Sequence, residues 1–387
     1  MNSQSVDLIY LDPPFNSKRT YSAPIGTKAA GSSFKDMWTW EDVNEAYLDK
    51  LVSNYPMLVD FIKSIQQTHS KAMMAYVTYM TQRLIELHRI LKDTGSLYLH
   101  CDPTASHYLK IVLDRIFGKD NFRNEIVWHY YNGSNSAHSR FGRKHDTIFF
   151  YSKVEKNSFF NWDISRIPYE EGSIYATGTT YGKKGYIKGN PKGKLMHDVW
   201  RIPSINNMAK ERTGYPTQKP LALLYRIIKA SSNEGDIVFD PFCGCATACV
   251  AAQQLGRHWI GIDIEEQAAP ILVQRLSDDA GLFKNFIHRK DVPQRSDIAP
   301  EPINQTIKER LFAEQKGACN ACAIELNIQN FEVDHIIPKS KGGGDYYENY
   351  QLLCGNCNRI KGNRPMEYLR IKIAQRDKLL KEQITFG

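Results

Sequence analysis

The sequence predicts an α/β fold followed by a small metal-binding domain. Three observations support this prediction: an apolar run that ends at two prolines (residues 7–14), a stretch in which strand, tight turn, helix and strand follow one another (235–264), and two CxxC pairs near the C-terminus. The 387 residues are enough for two domains, and 42% hydrophobic with 24% charged residues is ordinary for a globular protein.

Composition argues against a membrane protein and against a disulfide-rich secreted protein. The sequence has no run of about 18 apolar residues and no basic segment followed by an apolar one at its start. We therefore expect neither a membrane span nor a signal peptide, and a cytoplasmic location. Four of the eight cysteines form the two CxxC pairs, which in a reducing compartment favours metal binding over disulfides.

The first strand is predicted at DLIYL (7–11), because the run is apolar and the prolines after it cannot continue a hydrogen-bond ladder. Asp12 then lies at the carboxyl end of that strand, where open α/β sheets bind ligands. A tight Pro-Pro turn with a solvated aspartate explains the DPPF stretch equally well. The motif alone therefore leaves both interpretations open.

Helices and strands alternate along the next part of the chain. Apolar residues recur at helical spacing from residue 73, and we expect that helix to stop at Asp93-Thr94-Gly95 and to lead into the strand SLYLHC. Further helices are predicted over 106–118 and 220–232. The polar segment 291–304 contains three prolines and is the predicted linker.

The middle of the chain is its basic part. Residues 115–229 carry 20 Lys and Arg against 9 Asp and Glu, whereas the whole chain has a net charge of only +8. Aromatic and amide side chains are interleaved there, a mixture suited to phosphates, stacked bases and base edges. The alternative is an ordinary solvated basic face. The pattern favours a nucleic-acid partner.

Residues 235–264 form the second stretch whose sequence indicates a binding site. Small residues follow a predicted strand, and Asp263 ends the next strand, nineteen positions after Gly244. Small residues let the backbone approach a ligand, and an acid at that distance can accept hydrogen bonds from ribose hydroxyls. The spacing predicts a nucleoside site, with an ordinary βαβ unit as the alternative.

Four motifs in order resemble the β-class of S-adenosylmethionine-dependent DNA amino-methyltransferases. They are DPPF, TGYPTQKP (213–220), DPFCGCAT (240–247) and IGIDI (260–264), and the resemblance covers about residues 4–280. It implies a doubly wound, Rossmann-like sheet with a target-recognition region at about 119–215. It further implies that the target base is held by Asp12, Pro13 and Phe15, and that S-adenosylmethionine is bound by Lys219, Asp240, Phe242, Gly244 and Asp263.

The chemistry of methyl transfer explains why DPPF suits it. The exocyclic amine of a base is a poor nucleophile because its lone pair is delocalised into the ring. The Asp12 carboxylate and the Pro13 carbonyl can accept its hydrogens and draw it toward a tetrahedral geometry, while Phe15 stacks on a base taken out of the helix. Within the family an initial Asp implies adenine N6 more often than a cytosine amine.

Two features depart from the family pattern. The glycine-rich turn usually reads FxGxG, but its last glycine is Ala246 here, whose methyl group is expected to weaken cofactor binding. Family members also have a further strand and helix before DPPF, where this chain has about six residues before its first strand. We expect either a truncated start or a trimmed domain.

The two CxxC pairs predict a zinc site. CNAC (319–322) and the CGNC of ENYQLLCGNCNRIKGN (348–363) bracket the segment VDHIIPKSKGGG (333–344). The four thiolates, Cys319, Cys322, Cys354 and Cys357, can bind one zinc tetrahedrally and so hold together a segment that is too small for a core of its own.

Residues of about 316–364 resemble an HNH nuclease, a ββα-metal finger. The resemblance implies that Asp334 and Asn358 hold a magnesium-like ion, that His335 is the general base and that Asn349 braces the loop that aims it. Candidate phosphate contacts are Lys339, Lys341, Arg359 and Lys361. A DNA-binding zinc ribbon without catalysis is the alternative. An amphipathic helix is predicted over 366–384.

Together these features predict a restriction-modification type of protein that methylates adenine in double-stranded DNA and also cuts DNA. The predicted boundaries are 1–290 for the methyltransferase domain and 305–387 for the nuclease domain. The competing interpretation is an HNH nuclease whose degenerate methyltransferase domain only binds DNA. RNA as the substrate and a homodimer are further hypotheses.

Overall fold

The computed structural model divides the chain into two compact units. The large unit comprises residues 3–43 and 57–285, and the small unit comprises residues 1–2, 44–56 and 286–387. The structure describes the chain except for residues 18, 25, 31, 37, 40–50, 52–54, 133–138, 164–165, 171–172, 174–179, 183–184, 188, 281–286, 290–294, 299–301, 342, 365, 367, 371, 374 and 377–387. Much of the predicted linker, at 291–294 and 299–301, lies outside the described residues.

A seven-stranded sheet forms the centre of the large unit. Its strands are β1 (Val6–Leu11), β4 (Leu91–Cys101), β5 (Phe122–His129), β6 (His145–Ser152), β11 (Val199–Arg201), β12 (Ile237–Asp240) and β13 (His258–Gly261). The order is β11-β5-β6-β4-β1-β12-β13, and only β6 runs antiparallel to its neighbours. The predicted doubly wound α/β sheet is confirmed.

Small hairpins and short strand pairs lie outside this sheet. They pair β2 (Arg19–Ser22) with β3 (Ser33–Asp36), β7 (Arg166–Ile167) with β10 (Lys194–Leu195), and β8 (Thr180–Gly182) with β9 (Gly185–Ile187). The last two pairs lie within the predicted target-recognition region, which therefore adds short strands and loops to the sheet strands β5, β6 and β11 that it also contains.

Six helices of the described residues accompany the sheet in the large unit. They are α1 (Pro56–Thr68), α2 (Lys71–Ile90), α3 (Ser106–Phe117), α4 (Leu221–Ser231), α5 (Thr247–Gln254) and α6 (Ala268–Ala280). The predicted helices at 106–118 and 220–232 are confirmed as α3 and α4. The prediction that α2 stops at Asp93-Thr94-Gly95 was wrong, because Leu91 already pairs with Val6 and starts β4.

The apolar sequence of β1 follows from its central position. Leu8, Ile9 and Leu11 are fully buried, because β4 and β12 flank the strand and both of its faces are covered. Asp12 follows the carboxyl end of β1, and Asp240 ends the neighbouring parallel strand β12. The two acidic motifs therefore meet at one edge of the sheet, where the chain order changes direction.

The small unit is built on a hairpin and two helices. The antiparallel strands β14 (Phe331–His335) and β15 (Tyr350–Cys354) are followed by α8 (Gly355–Lys361), and α7 (Gln305–Glu314) precedes them. The described residues between 366 and 376 are helical, as the predicted terminal helix requires, and 377–384 lie outside the described residues. No helix in the described ranges is long and apolar enough to cross a membrane.

Candidate active sites

Asp12 and Lys219 form an ion pair at the carboxyl end of β1. The Lys219 Nζ lies 2.5 Å from Asp12 Oδ2, although the residues are 207 positions apart. Both side chains are largely buried. The other oxygen, Asp12 Oδ1, is buried and accepts no hydrogen bond from any described residue. The carboxylate therefore has one oxygen balanced by a cation and one oxygen available as an acceptor.

The loop after Asp12 is fixed from a distance. The backbone N–H groups of Asn16 and Ser17 donate to the two oxygens of Asp36, at 2.6 Å and 3.0 Å. Asp36 is 3% exposed, so these two donors satisfy a buried carboxylate. The loop places the Phe15 ring 5.4 Å from the Lys219 ammonium. Asp36 thereby fixes the aromatic residue that follows the predicted catalytic aspartate.

The predicted cofactor turn is held by two carboxylates. Asp240 Oδ1 accepts the N–H of Phe242 at 3.0 Å, and Asp263 Oδ2 accepts the N–H of Gly244 at 2.6 Å. Asp263 Oδ1 accepts the N–H of Glu265 at 2.8 Å. Burial raises the pKa of both carboxyl groups. The structure therefore brings Asp240, Phe242, Gly244 and Asp263 together at one turn, as the motif predicts.

Two positions of this turn have left-handed backbone. Gly244 has a φ of 49°, and a Cβ at this position would lie 3.0 Å from the Tyr215 ring. Ala246 has a φ of 59° and a ψ of 36°, a conformation that costs an alanine about 1–2 kcal/mol. The buried guanidinium of Arg275 donates to the carbonyl of Cys245 at 2.6 Å, which fastens the turn just before Ala246.

The residues of the turn fit S-adenosylmethionine. Each oxygen of Asp263 accepts one backbone N–H and retains a lone pair for a ribose hydroxyl. Ile264 directly follows and is 98% exposed, which offers an apolar contact for a base. Lys219 contacts Asp12 instead of the turn, so its predicted contact with the cofactor stays a prediction.

The four cysteines of the small unit form a cluster that fits zinc. Their four sulfur atoms all lie within 4.8 Å of one another, and the Sγ atoms of Cys322 and Cys354 are 3.8 Å apart. Four ligands about 2.3 Å from a central ion form a tetrahedron whose edges are close to the distance between the Sγ atoms of Cys322 and Cys354. Burial raises the pKa of Cys319, but the N–H groups of Cys322 and Cys354 outweigh it and lower the pKa.

His335 forms a hydrogen-bonded pair with Asp345. The His335 Nε2 lies 2.9 Å from Asp345 Oδ1, and Lys339 Nζ donates to Asp345 Oδ2 at 2.7 Å. The hydroxyl of Tyr350 also donates to Asp345. Lys339 and His335 lower the pKa of Asp345 to about 2. Since the carboxylate accepts, Nε2 carries the proton, and Nδ1 has no hydrogen-bond partner among the described residues.

Asn349 is nearly buried and binds the loop that follows His335. Its side chain accepts the N–H of Ile337 at 2.9 Å and donates to the carbonyl oxygens of Ile337 and Gly344 at 3.1 Å and 3.0 Å. The loop is tight, because a Cβ at Gly343 would lie 1.8 Å from the Ile337 oxygen. The contacts match those expected of a bracing residue, while its role in catalysis stays a prediction.

Asp334 Oδ2 accepts two hydrogen bonds, from Lys361 Nζ and Gln351 Nε2, both at 2.9 Å. Lys361 is 1% exposed, and its ammonium also donates to the His335 carbonyl. The prediction that Lys361 contacts phosphate was therefore wrong: a lysine buried against Asp334 cannot reach DNA. The amide of Asn358, one turn earlier on α8, contacts Glu332 on the same strand as Asp334. The binding of a magnesium-like ion by Asp334 and Asn358 stays a prediction.

The basic middle region presents charge at its surface. Arg140 and Arg143 are exposed, Phe141 between them is 98% exposed, and Lys144 donates to the Asn132 carbonyl. Residues 133–138, which belong to the same stretch, lie outside the described residues. Exposed arginines beside an exposed aromatic ring are typical of a nucleic-acid surface.

Sequence reasoning missed several residues that contact the predicted sites. One signal was available for His100: a histidine inside the apolar strand SLYLHC is unusual. The others carry no comparable signal, because tyrosines in strands and charged residues near strand ends, in loops and on helices are common. The missed residues are Tyr10, Asp36, His100, Asp146, Arg275 and Asp345.

Comparison with known proteins finds a family match in each unit. A DNA methylase family (N6_N4_Mtase) matches residues 6–274, and an HNH endonuclease family matches residues 319–364. The chain is 30% identical to the type II methyltransferase M.BglII of Bacillus subtilis over 262 residues, 65% of this chain and 70% of that protein. It is 29% identical to the DNA adenine methyltransferase YhdJ of Escherichia coli, over 71% of this chain and 77% of that protein.

One relative aligns along most of the chain. The type II methyltransferase M.HinfI of Haemophilus influenzae is 25% identical over 365 residues, 89% of this chain and 87% of that protein. The family match covers well over half of the chain and contains all the motifs of the large unit. The chain therefore belongs to the N6/N4 DNA methylase family and carries a C-terminal HNH endonuclease domain.

Proposed function

We propose that the large unit methylates the N6 amine of adenine in double-stranded DNA and that the small unit hydrolyses DNA phosphodiester bonds. The observation that carries the proposal is the asymmetry of Asp12. One of its oxygens forms an ion pair with Lys219. The other oxygen is buried and accepts no hydrogen bond from the described residues. A buried acceptor without a donor costs free energy, which a substrate amine would recover.

Each part of the DPPF motif has a role in this reaction. S-adenosylmethionine, when bound, supplies an electrophilic methyl group on a sulfonium. Asp12 Oδ1 and the Pro13 carbonyl accept the amine hydrogens, so that the nitrogen lone pair points away from the ring. Phe15 stacks on the base. The Asp12 carboxylate would accept the amine proton that must leave when the nitrogen takes up the methyl group.

Adenine is favoured over cytosine by two observations. The catalytic motif begins with Asp, and one relative, YhdJ, is named as a DNA adenine methyltransferase. The test is mass spectrometry of nucleosides from amplified bacterial genomic DNA, which carries no methylated adenine or cytosine, after incubation with the full-length protein. We expect N6-methyladenine. N4-methylcytosine as the sole product would contradict the assignment of the base.

The small unit supports cleavage through the position of His335. Its Nδ1 is the basic nitrogen, because Nε2 donates to Asp345. Asp334 and Asn358 would hold a magnesium-like ion, which supplies charge to stabilise the phosphate and the leaving oxygen. His335 takes the proton of the attacking water, and zinc on the four cysteines keeps the fold. The domain boundaries at 290 and 305, the homodimer and the cytoplasmic location remain predictions.

Replacement of Asp12 tests the methyl-transfer site. Asp12→Ala should lower the labelling of DNA by at least about 100-fold, because the amine loses its acceptor. Calorimetry should show unchanged binding of S-adenosylmethionine. Asp102→Asn is the matched control: Asp102 follows the neighbouring strand β4, but its carboxylate accepts the N–H of Ala105, just before α3. Labelling that survives in Asp12→Ala would contradict the proposed site.

A second candidate function is a nuclease whose large unit only binds DNA. The left-handed conformation of Ala246 favours it, because the strain lies in the predicted cofactor turn. Wild-type protein that binds DNA and cuts it, but neither binds S-adenosylmethionine nor labels DNA, would establish this alternative.

A further inference from the structure

A fully buried histidine lies beneath the methyl-transfer site. His100, near the carboxyl end of β4, is 0% exposed, and both of its ring nitrogens have partners. Nδ1 lies 3.0 Å from the hydroxyl of Tyr10 on β1, and Nε2 lies 3.1 Å from Asp146 Oδ2 on β6. The three side chains form a continuous polar chain across three neighbouring strands of the sheet.

The imidazole also contacts the catalytic motif. The ring centroid of Phe15 lies 5.7 Å from that of His100, and His100 Nδ1 lies 3.8 Å from Asp12 Oδ1. This is the oxygen that accepts no hydrogen bond from the described residues. Trp128 packs edge-on against the imidazole at 5.5 Å. His100 therefore supports both groups that hold the target base.

The tautomer of His100 follows from its partners. Burial raises the pKa of Asp146, but the hydrogen bond from His100 and the charge of Lys219 outweigh burial and lower this pKa, so the carboxylate accepts and Nε2 carries a proton. Burial and the charge of Asp12 raise the pKa of Tyr10, so its hydroxyl keeps its proton and can donate to Nδ1. With Tyr10 as the donor, Nδ1 is the acceptor and the imidazole carries one proton, on Nε2.

Neutral His100 leaves Asp12 Oδ1 available. A protonated His100 would carry an N–H on Nδ1, 3.8 Å from that oxygen, and this N–H would compete with the substrate amine. We propose that His100, held neutral by Tyr10 and fixed in its tautomer by Asp146, is a positioning residue that keeps Asp12 Oδ1 free for the target amine and supports Phe15. The inference rests on the proposed methyl transfer at Asp12.

The inference predicts how methylation depends on pH. The charged and titratable groups that face His100, directly or through one of its partners, are Tyr10, Asp12, Tyr130, Asp146, Lys219 and Asp240. As pH falls and His100 gains a proton, the competing donor appears and kcat should fall. The ordinary pKa values of aspartate, tyrosine and lysine lie outside pH 5–8, whereas that of histidine lies within this range.

The acid limb of the pH profile is the range in which kcat falls as pH is lowered. Two variants should shift this acid limb in opposite directions. Asp146→Asn removes the negative charge that favours a protonated imidazole, so the limb should shift to lower pH by about one unit. Tyr10→Phe removes the donor that favours the neutral imidazole, so the limb should shift to higher pH by a similar amount. A merely structural role would lower kcat in both variants and leave the limb in place.

His100→Gln provides the third variant, because its amide can still donate to Asp146 but does not titrate. We expect a lower kcat, an unchanged KM for S-adenosylmethionine and no acid limb in this pH range. Labelling of unmethylated amplified genomic DNA by the full chain is the assay. Shifts of Asp146→Asn and Tyr10→Phe in the same direction, or a limb that persists in His100→Gln, would overturn the inference.

A second measurement separates the inference from the proposed function. Nitrogen-15 NMR of the full chain labelled at histidine reports the tautomer without DNA or cofactor, and His100→Gln assigns the signal among the eleven histidines. We expect a neutral ring with its proton on Nε2 at pH 7.5. A protonated ring, or a proton on Nδ1, would overturn the inference even in an active enzyme. A neutral ring in a protein that never labels DNA would instead count against methyl transfer.

Discussion

Each of the two units pairs a histidine with an aspartate through Nε2, but in different surroundings. In the large unit His100 is fully buried, and Tyr10 occupies its Nδ1. In the small unit the His335 side chain is 17% exposed, and its Nδ1 has no hydrogen-bond partner among the described residues. In the proposed roles, the same pair fixes a neutral supporting residue in one case and orients an accessible base in the other. Burial and the second nitrogen decide the role.

The units also differ in what holds these pairs in place. In the large unit the buried core draws on strands and helices from Leu8 to Ala252 and contains no cysteine among the residues of its main cluster. In the small unit three of the twelve buried core residues are cysteines of the predicted zinc cluster: Cys319, Cys354 and Cys357. A core this small cannot offset the loss of chain entropy without the metal. We therefore expect a metal chelator to unfold the small unit and to leave the large unit folded.

The largest predicted effect is the loss of zinc. Cys357→Ser should remove the zinc and unfold the small unit, because metal binding is worth about 10–16 kcal/mol in small zinc domains. DNA cleavage should disappear, while binding of S-adenosylmethionine should persist. Elemental analysis and two-transition thermal unfolding check this. Cys101→Ser is the control, since Cys101 is equally buried but lies in the large unit. Cleavage by zinc-free protein would contradict the comparison.

The His335–Asp345 pair should show graded losses of cleavage. His335→Ala removes the base and should lower the cleavage rate by about 1,000-fold, with DNA affinity nearly unchanged. Asp345→Asn leaves the base but no longer fixes its tautomer, and should cost about 10–100-fold. Single-turnover cleavage of plasmid DNA with added magnesium measures both rates. An equal loss in the two variants would mean that Asp345 acts on the fold instead of on His335.

The basic region of the large unit should supply DNA affinity. Replacing Arg140, Arg143 and Lys144 by Ala should weaken DNA binding, because fewer DNA phosphates are then neutralised by the protein. The slope of log K against log salt should decrease by up to about 0.9 for each phosphate that is no longer neutralised. Fluorescence anisotropy at several salt concentrations measures the slope.

A charge-matched control uses exposed residues on the helices of the same unit. Replacing Lys63, Lys71 and Arg115 by Ala removes the same charge from α1, α2 and α3. We expect little change in the salt slope. If both triple variants reduce the slope equally, net charge and not the region around Arg140 supplies the affinity.

The smallest predicted effect concerns the strained turn. Ala246→Gly removes the cost of a left-handed alanine and should stabilise the large unit by about 1 kcal/mol, raising its Tm by about 2–4 °C. Ala248→Gly lies within helix α5 and should destabilise by about the same amount. Thermal unfolding of the full chain checks both signs. A loss of stability in Ala246→Gly would mean that the turn is not strained.

Local patterns determined which residues belong to the sites. One strand ends just before Asp12 and another ends at Asp240, because prolines and small residues stop the apolar runs. The carboxyl ends of parallel strands share one edge of the sheet, so the two acids come together. The CxxC spacing selected the four sulfur atoms that lie within 4.8 Å. These features depend on residues that are close in sequence, so the sequence carries them directly.

Only the tertiary structure decided how those residues are paired. Lys219 reaches Asp12 across 207 positions, His100 reaches Asp146 across 46, and Lys361 is buried against Asp334 instead of exposed to phosphate. Each pairing depends on the strand order and on which face of a helix is buried. A charged or polar side chain has the same appearance in a sequence whether it meets solvent or a buried partner, because its free energy is set by neighbours that the fold supplies.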